Sequence, residues 1–268
     1  MDIFHAIVIA IIEGLTEYLP VSSTGHMIFA SSYFGIQEHD FVKLFQVSIQ
    51  FGAILAVVVL YWRKFFDFSR LNFYVKLAAA VIPALVLGYI FDDYIDAVLG
   101  QPVPIALTLI VGGIFLLFLD EYFKNPKVHS EEEVTVKNAV IIGFWQCLAM
   151  MPGTSRSAAS IIGGMQQGLT RETAAEFSFF LAVPTMLAVS TYSIFIKTYQ
   201  ATGLKGYEML QHRDNLMVFL LGNAIAFIVA ILAIKLFIGI IKKYGFKPWG
   251  YYRIAAGIIL LVYFNYND

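Results

Sequence analysis

Apolar residues run through this chain in stretches of about twenty, and none of these stretches alternates at every second position as a barrel strand would. A helix needs roughly 20 residues to cross a hydrocarbon core. Six stretches read as full crossings, at about 44 to 62, 74 to 95, 103 to 123, 174 to 197, 215 to 241 and 251 to 266. Two further apolar regions are broken in the middle. One runs from Ile3 to Phe34 and is split at Tyr18-Leu19-Pro20-Val21-Ser22-Ser23-Thr24-Gly25. The other runs from Lys137 to Gln167 and is split at Met151-Pro152-Gly153-Thr154-Ser155-Arg156-Ser157. Each half is too short to span, so each region is expected to enter the membrane and turn back. The expected fold is an all-α polytopic membrane protein, a single transmembrane domain over residues 1–268, with six full transmembrane helices plus two re-entrant helix hairpins.

Basic residues orient these spans. Arg63, Lys64, Arg70 and Lys76 crowd one connection, and Lys242, Lys243, Lys247 and Arg253 another, which the positive-inside rule assigns to the cytoplasm. Counting crossings from these two loops puts the 124 to 136 loop inside, the 96 to 102 and 198 to 214 loops outside, and both termini outside. The run Glu131-Glu132-Glu133 does not oppose this, because acidic residues weigh little in the rule. The first broken region must then dip in from outside and the second from inside, so the two hairpins meet near the midplane. They also align weakly, with Glu13-Gly14-Leu15, Pro20 and Ser22-Ser23 over Gln146-Cys147-Leu148, Pro152 and Ser155-Arg156-Ser157, the prolines one position out of register. Similarity across reversed topology marks an inverted repeat, whose interface carries the binding site. The first repeat is read as 1–123 with its hairpin at about 3–34, and the second as 124–268 with its hairpin at about 137–167.

Composition agrees with a lipid solvent. Hydrophobic residues make up 59% and charged ones 14%, against roughly 45–50% and 25% in soluble domains. A net charge of -1 without a basic stripe gives no reason to expect a nucleic-acid partner. The single cysteine, Cys147, excludes an intramolecular disulfide and reads as a packing residue. The Met1-Asp2 start lacks a basic region, and Glu13 interrupts its apolar stretch, so a cleaved signal peptide is not expected.

Ionisable residues inside a membrane cost about 2.5–3.5 kcal/mol at a helix centre on insertion scales, so each requires a reason. Glu13 and Glu17, four apart, share one helical face. Two such carboxylates in low dielectric require a shared proton, a bound divalent metal or a cation such as Arg156. Ser22-Ser23-Thr24-Gly25-His26 follows Pro20. A break followed by a helix start points free N–H groups at an anion, and Ser with His three residues on could supply a nucleophile with its base or a leaving-group acid. The competing structural role for the serines is a helix cap. Pro152-Gly153-Thr154-Ser155-Arg156-Ser157 repeats the design with a guanidinium suited to forked hydrogen bonds with phosphate, against the alternative of an arginine snorkelling to headgroups. Catalytic candidates are therefore Glu13, Glu17, Ser23, His26 and Arg156. Ser22, Thr24, Gly25, Gly153, Thr154, Ser155 and Ser157 are candidates for holding phosphate, and Glu13 and Glu17 for metal. Glu176 has two readings, a partner for Arg156 or a solvated helix end. Gly164 and Gly168 have the GxxxG spacing of close helix packing, and Pro83 and Pro184 are expected to kink their spans. His5, His39, His129 and His212 receive no role, and Walker-type and H-E-x-x-H motifs are absent.

At these residues the chain resembles the bacterial undecaprenyl-diphosphate phosphatase family, also called bacitracin-resistance proteins. The stretches that carry the likeness are EGLTEYLPVSSTGHMI from Glu13 to Ile28, MPGTSRSAASIIGGM from Met151 to Met165 and EFSFFLAVP from Glu176 to Pro184. The resemblance implies hydrolysis of the terminal phosphate of a long-chain polyprenyl diphosphate lipid, which recycles the carrier for cell-wall (peptidoglycan) synthesis and confers bacitracin resistance. It implies a divalent cation, Mg2+ or Ca2+, and an outward-facing site in the bacterial cytoplasmic (inner) membrane. It puts the family's glutamate pair on Glu13 and Glu17, its serine and histidine on Ser23 and His26, and its arginine on Arg156. The nucleophile stays open between Ser23, His26 and water, and so does the oligomeric state, a homodimer being one option. Inverted repeats with broken helices and midplane charges equally mark a secondary transporter or flippase of an anionic polyprenyl phosphate lipid, which is the rival expectation.

Overall fold

The computed structural model describes residues 1–91, 94 and 102–267. Among these the chain is helical, and its only β pairings are the isolated bridges Val128–Leu169 and Thr198–Lys205. The helices are α1 Ile3–Thr16, α2 Ser23–Tyr33, α3 Asp40–Ser48, α4 Gln50–Leu60, α5 Trp62–Phe65, α6 Leu71–Ile90, α7 Pro102–Tyr122, α8 Val136–Gln146, α9 Arg156–Gln166, α10 Arg171–Phe195, α11 Gly206–Met209, α12 Arg213–Tyr244 and α13 Lys247–Asn267. Among the described residues five helical stretches are long and apolar enough to cross a membrane: Asp40–Leu60, Leu71–Ile90, Val103–Tyr122, Arg171–Phe195 and Arg213–Tyr244. These coincide with five of the six expected crossings; the sixth falls on α13, which carries Arg253 in its second turn. The expected outside loop at 96 to 102 lies, apart from Pro102, beyond the described residues.

The two broken regions are pairs of short helices that pack on each other, α1 on α2 and α8 on α9. With 14, 11, 11 and 11 residues, none reaches the roughly 20 needed to span. Helix restarts earlier than the sequence suggests, because Ser22 and Ser155 act as N-caps. Their hydroxyls accept from Gly25 N and Ala158 N, both at 3.3 Å. Ser23, Thr24 and Gly25, and likewise Arg156 and Ser157, therefore occupy first helical turns rather than the breaks. Ser22 and Ser155 are the only non-glycine residues with positive φ among the described residues, at 70° and 74°. Such backbone is strained for an L side chain.

Side chains are sorted as a lipid solvent demands. On α12 the small residues Gly222, Ala226, Ala230 and Ala233 are buried, whereas Leu220, Ile228, Leu232 and Leu236 are exposed. A large outer apolar surface of this kind would be a liability in water, while small buried faces let helices approach within a bilayer. A Cβ on Gly52 would overlap the Asn223 carbonyl, and one on Gly143 the Ala80 carbonyl, so α4 meets α12 and α8 meets α6 at backbone contact. Gly164 plays the same part against Ala174 Cβ at 3.0 Å. Gly168 does not: it ends the helix pair as a turn with φ +84° beside Lys127. Helix continues through Pro83 and Pro184, and Cys147 Sγ donates to Gly143 O at 3.3 Å within its own turn.

Outside the centre of the molecule, charged side chains are paired near the ends of the helices. Glu131 accepts from Arg70 at 2.8 Å and from the buried Lys76 at 3.4 Å, and Arg171 pairs with Asp120 at 2.5 Å. Phe246 N donates to Asp120 at 2.8 Å and Lys242 lies 3.6 Å from Glu172. The acidic run is thus the counter-charge of the first basic loop, while the second is met by Asp120, Glu121 and Glu172. At the other end Thr202 donates to Asp40 from its backbone N and its hydroxyl, at 2.7 and 2.8 Å.

Candidate active site

The centre of the molecule is the meeting of the two breaks. Ser157 Oγ donates to Leu19 O at 2.7 Å across them. Glu17, one residue past α1 and 5% exposed, accepts from Ser23 Oγ at 2.5 Å through Oε2 and from Arg156 Nη2 at 3.0 Å through Oε1. Arg156 continues outward through Nη1 to the carbonyl of Ser178 at 2.8 Å, and the Ser178 hydroxyl meets Ser160 Oγ at 2.6 Å. Its Nε–H is buried without a partner. Beneath this group Tyr18 packs edge-on against Phe179 and bonds Ala53 O at 2.8 Å, with the Arg156 guanidinium 6.0 Å from its ring. An arginine so held is not snorkelling. Glu176 is not its partner: that carboxylate accepts from Tyr61 OH at 3.4 Å.

A cavity of about 440 Å³ opens over the cluster. Glu17, Ser22, Ser23, Thr24, Gly153, Ser155 and Arg156 line its polar floor, with Gln50 and Gln146 beside them. Its walls are apolar, from Ala84 and Leu85 on α6 and Met186 and Val189 on α10, and it reaches Tyr192 and Lys197. Five expected contributors are not among its lining residues. His26, four residues after Ser22 on α2, turns its ring toward α13: Nδ1 bonds Ser22 O at 2.7 Å, and Nε2 bonds Tyr252 OH at 2.8 Å with the rings stacked. Gly25 N is spent on the Ser22 cap, Thr154 O is held by Arg253, and Ser157 Oγ is spent on Leu19.

Glu13 also lies off the lining, fully buried, with neither carboxylate oxygen met by a donor. Its charged neighbours are Glu17 and Arg156. A proton shared with Glu17 or a hard cation, which prefers oxygen ligands, would satisfy these oxygens. No group of three His, Cys, Asp or Glu side chains assembles among the described residues, so Glu13 and Glu17 are the carboxylates that could hold a cation here.

Three polar residues here escaped the sequence. Ser178 reads in the chain as a helix-end residue, and Gln146 as an apolar-helix polar residue aligned with Glu13. Arg253 reads as a loop cation beside Lys247, but it is 1% exposed and donates to the carbonyls of Pro20, Thr108, Leu109, Gly153 and Thr154. A single arginine among apolar residues inside the sixth stretch was the available signal, masked by the basic cluster just before it.

Taken together, the fold and site define a multi-pass membrane protein with a buried carboxylate, hydroxyl and guanidinium under an apolar-walled cavity. The chain belongs to the family of the bacitracin resistance protein BacA, whose profile matches residues 6–259. It is similar to the undecaprenyl-diphosphatase of Flavobacterium johnsoniae, 55% identical over 263 residues that cover 98% of this chain and 96% of that one. It is similar also to the undecaprenyl-diphosphatase of Porphyromonas gingivalis, 48% identical over 279 residues covering 98% and 96%. The undecaprenyl-diphosphatase 1 of Clostridioides difficile is 42% identical over 275 residues, covering 98% and 97%.

Proposed function

We propose that this protein hydrolyses undecaprenyl diphosphate to the monophosphate and inorganic phosphate, recycling the carrier lipid for cell-wall synthesis and conferring bacitracin resistance. The observation that carries the site assignment is Glu17 held between the Ser23 hydroxyl and the Arg156 guanidinium at the floor of a cavity with apolar walls. The walls suit the lipid and the floor suits the diphosphate. Ser23 Oγ attacks the terminal phosphorus while its proton passes to Glu17. The bridging P–O bond breaks and the lipid monophosphate leaves as the anion; Glu17 releases its proton to solvent, takes one from the water that attacks the phosphoserine, and returns it to Ser23 Oγ as the P–O bond to serine breaks and inorganic phosphate leaves. Arg156, through its remaining N–H groups, and the N–H groups of the two helix starts hold phosphate oxygens where charge develops. Glu13 and Glu17 would hold a divalent cation, Mg2+ or Ca2+, which when bound supplies neutralising charge to the diphosphate. His26 is assigned to support of Ser22 rather than to attack, since both ring nitrogens are engaged away from the cavity.

The finer topology belongs to the same proposal. Six spans and two re-entrant hairpins form an inverted repeat of 1–123 and 124–268, in the bacterial cytoplasmic membrane with termini and site on the outer side. Exchange of the repeats accounts for the packing: α1 lies on α12 as α8 lies on α6, α4 on α12 as α10 on α6, and α7 and α13 on each other. It also accounts for two capping serines of like strain at Ser22 and Ser155. The test is phosphate release from undecaprenyl diphosphate by the purified protein in detergent with a divalent ion. Hydrolysis proceeds without a sealed membrane, whereas carriage of a lipid headgroup needs one; protein that releases no phosphate in detergent overturns the assignment.

A further inference from the structure

We infer that Arg253 is a positioning residue for this reaction: from α13 it pins the backbones of both breaks to one point and so fixes Glu17 and Ser23 relative to Arg156. The inference rests on the hydrolase reading above. Backbone leaves the helix at both breaks, and carbonyls freed at membrane depth must find donors. Scattered hydroxyls could supply them. Instead one planar cation with five N–H groups meets five carbonyls. Nη1 donates to Pro20 O and Thr154 O, both at 3.0 Å, so a single nitrogen joins the two hairpins. Nη2 donates to Gly153 O at 3.0 Å and Thr108 O at 3.2 Å, and Nε to Leu109 O at 3.3 Å, which anchors the assembly to α7.

Pro20 lies three residues from both Glu17 and Ser23, and Thr154 two residues from Arg156. The ion pair between Glu17 and Arg156 therefore hangs on backbone that Arg253 holds. The neighbouring Tyr252 braces the same break through His26 and the Ser22 carbonyl. Room for the guanidinium comes from Gly112 on α7, where a Cβ would fall on Nη2. Reacting groups displaced by about 1 Å can lose on the order of 100-fold in rate, and a lysine, with one compact ammonium, cannot span this set of acceptors.

The test compares Arg253→Lys, Arg253→Ala and Gly112→Ala with the wild-type protein in detergent, by phosphate release across lipid concentrations and by amide hydrogen exchange. Arg253→Lys is expected to lose about 100-fold in kcat with KM within about threefold, and to exchange faster at both 18–25 and 151–157 while α10 and α12 are unchanged. Guanidinium ion at millimolar concentration is expected to restore part of the lost kcat to Arg253→Ala, and urea none. Gly112→Ala, which keeps the arginine and presses on it, is expected to move kcat and both exchange regions in the same direction. Arg253→Lys within about threefold of wild-type kcat, a loss confined to KM, or faster exchange in one break only would overturn the inference. Should both arginine variants fail to fold, Gly112→Ala decides: wild-type kcat and exchange there overturn it as well. A wild-type protein without phosphatase activity defeats the hydrolase reading instead, and the exchange data then decide the pinning alone.

Discussion

At Glu17 one carboxylate accepts a hydrogen bond from Ser23 and one from the Arg156 cation, and the proposed mechanism asks it to take the Ser23 proton as well. Glu17→Gln keeps size and one acceptor but removes both charge and basicity. Phosphate release at saturating lipid and divalent ion is therefore expected to fall about 10²–10⁴-fold, the range of general-base catalysis, with the helical circular dichroism unchanged; near-normal turnover would remove Glu17 as proton acceptor. Arg156→Lys separates a clamp from a mere counter-charge. The guanidinium uses Nη2 on Glu17 and Nη1 on Ser178 O and still has Nε–H to offer, whereas lysine can balance Glu17 and little more. The expected loss is about 2–4 kcal/mol in the transition state, read as a lowered kcat with little change in half-saturation, and wild-type rates would sink the clamp. These residues were legible in the chain because an ionised group in hydrocarbon needs a reason. Arg253 was not, since its partners are backbone carbonyls that leave no side-chain pattern, and Lys242, Lys243 and Lys247 lend it the look of a loop charge. For His26 the ring's direction was not legible, since adjacency to Ser23 in sequence says nothing of it and the i to i+4 bond to Ser22 O sets it.

Between helices, what holds the site in place is close approach rather than bulk. In lipid the apolar effect does not favour helix contact over lipid contact, so packing and backbone proximity must. Gly52 is where α4 touches α12, with its N–H donating to Asn223 Oδ1 at 2.8 Å. Gly52→Val would drive a side chain into the Asn223 backbone, and overpacking of this kind costs typically about 1–3 kcal/mol. Gly239 on α12 has no heavy atom within 4 Å of an added Cβ, so Gly239→Val is the control. Thermal unfolding in detergent is expected to shift down for Gly52→Val and to stay put for Gly239→Val; equal shifts would show that helix approach at Gly52 is not limiting. Sequence pattern located these helices well, because apolar runs broken by Pro20 and Pro152 can only be short pairs in a bilayer. It misplaced where the second halves begin, since a serine at positive φ that caps its own helix cannot be told from a serine in a loop by composition. It also read Gly168 as packing where the geometry is a turn.

Across the whole molecule, orientation and meeting of the hairpins are separable claims that two cysteine experiments test together. Loops placed inside by their lysines and arginines do share one end, tied through Arg70 to Glu131 and through Phe246 N to Asp120, and Asp40 meets Thr202 at the opposite end. That much followed from counting charges, because the positive-inside bias is a property of loops and survives any error in helix bounds. In a chain with Cys147→Ser, Glu38→Cys at the Asp40 end is expected to react with an impermeant maleimide in intact cells, and Ser69→Cys at the Arg70 end only after permeabilisation. The reverse pattern would turn the protein over and put the site on the cytoplasmic side. Ser22→Cys with Ser155→Cys addresses the meeting. Both positions line one cavity, although their hairpins enter from opposite faces in the inverted-repeat arrangement, so a short bifunctional reagent is expected to join them within one chain. Protection of that cross-link by undecaprenyl diphosphate, and not by a simple long-chain alcohol, would place the diphosphate between the breaks. If no pair along residues 18–25 and 151–157 cross-links while the sidedness result holds, the hairpins do not meet, and the site would have to be rebuilt from one of them alone.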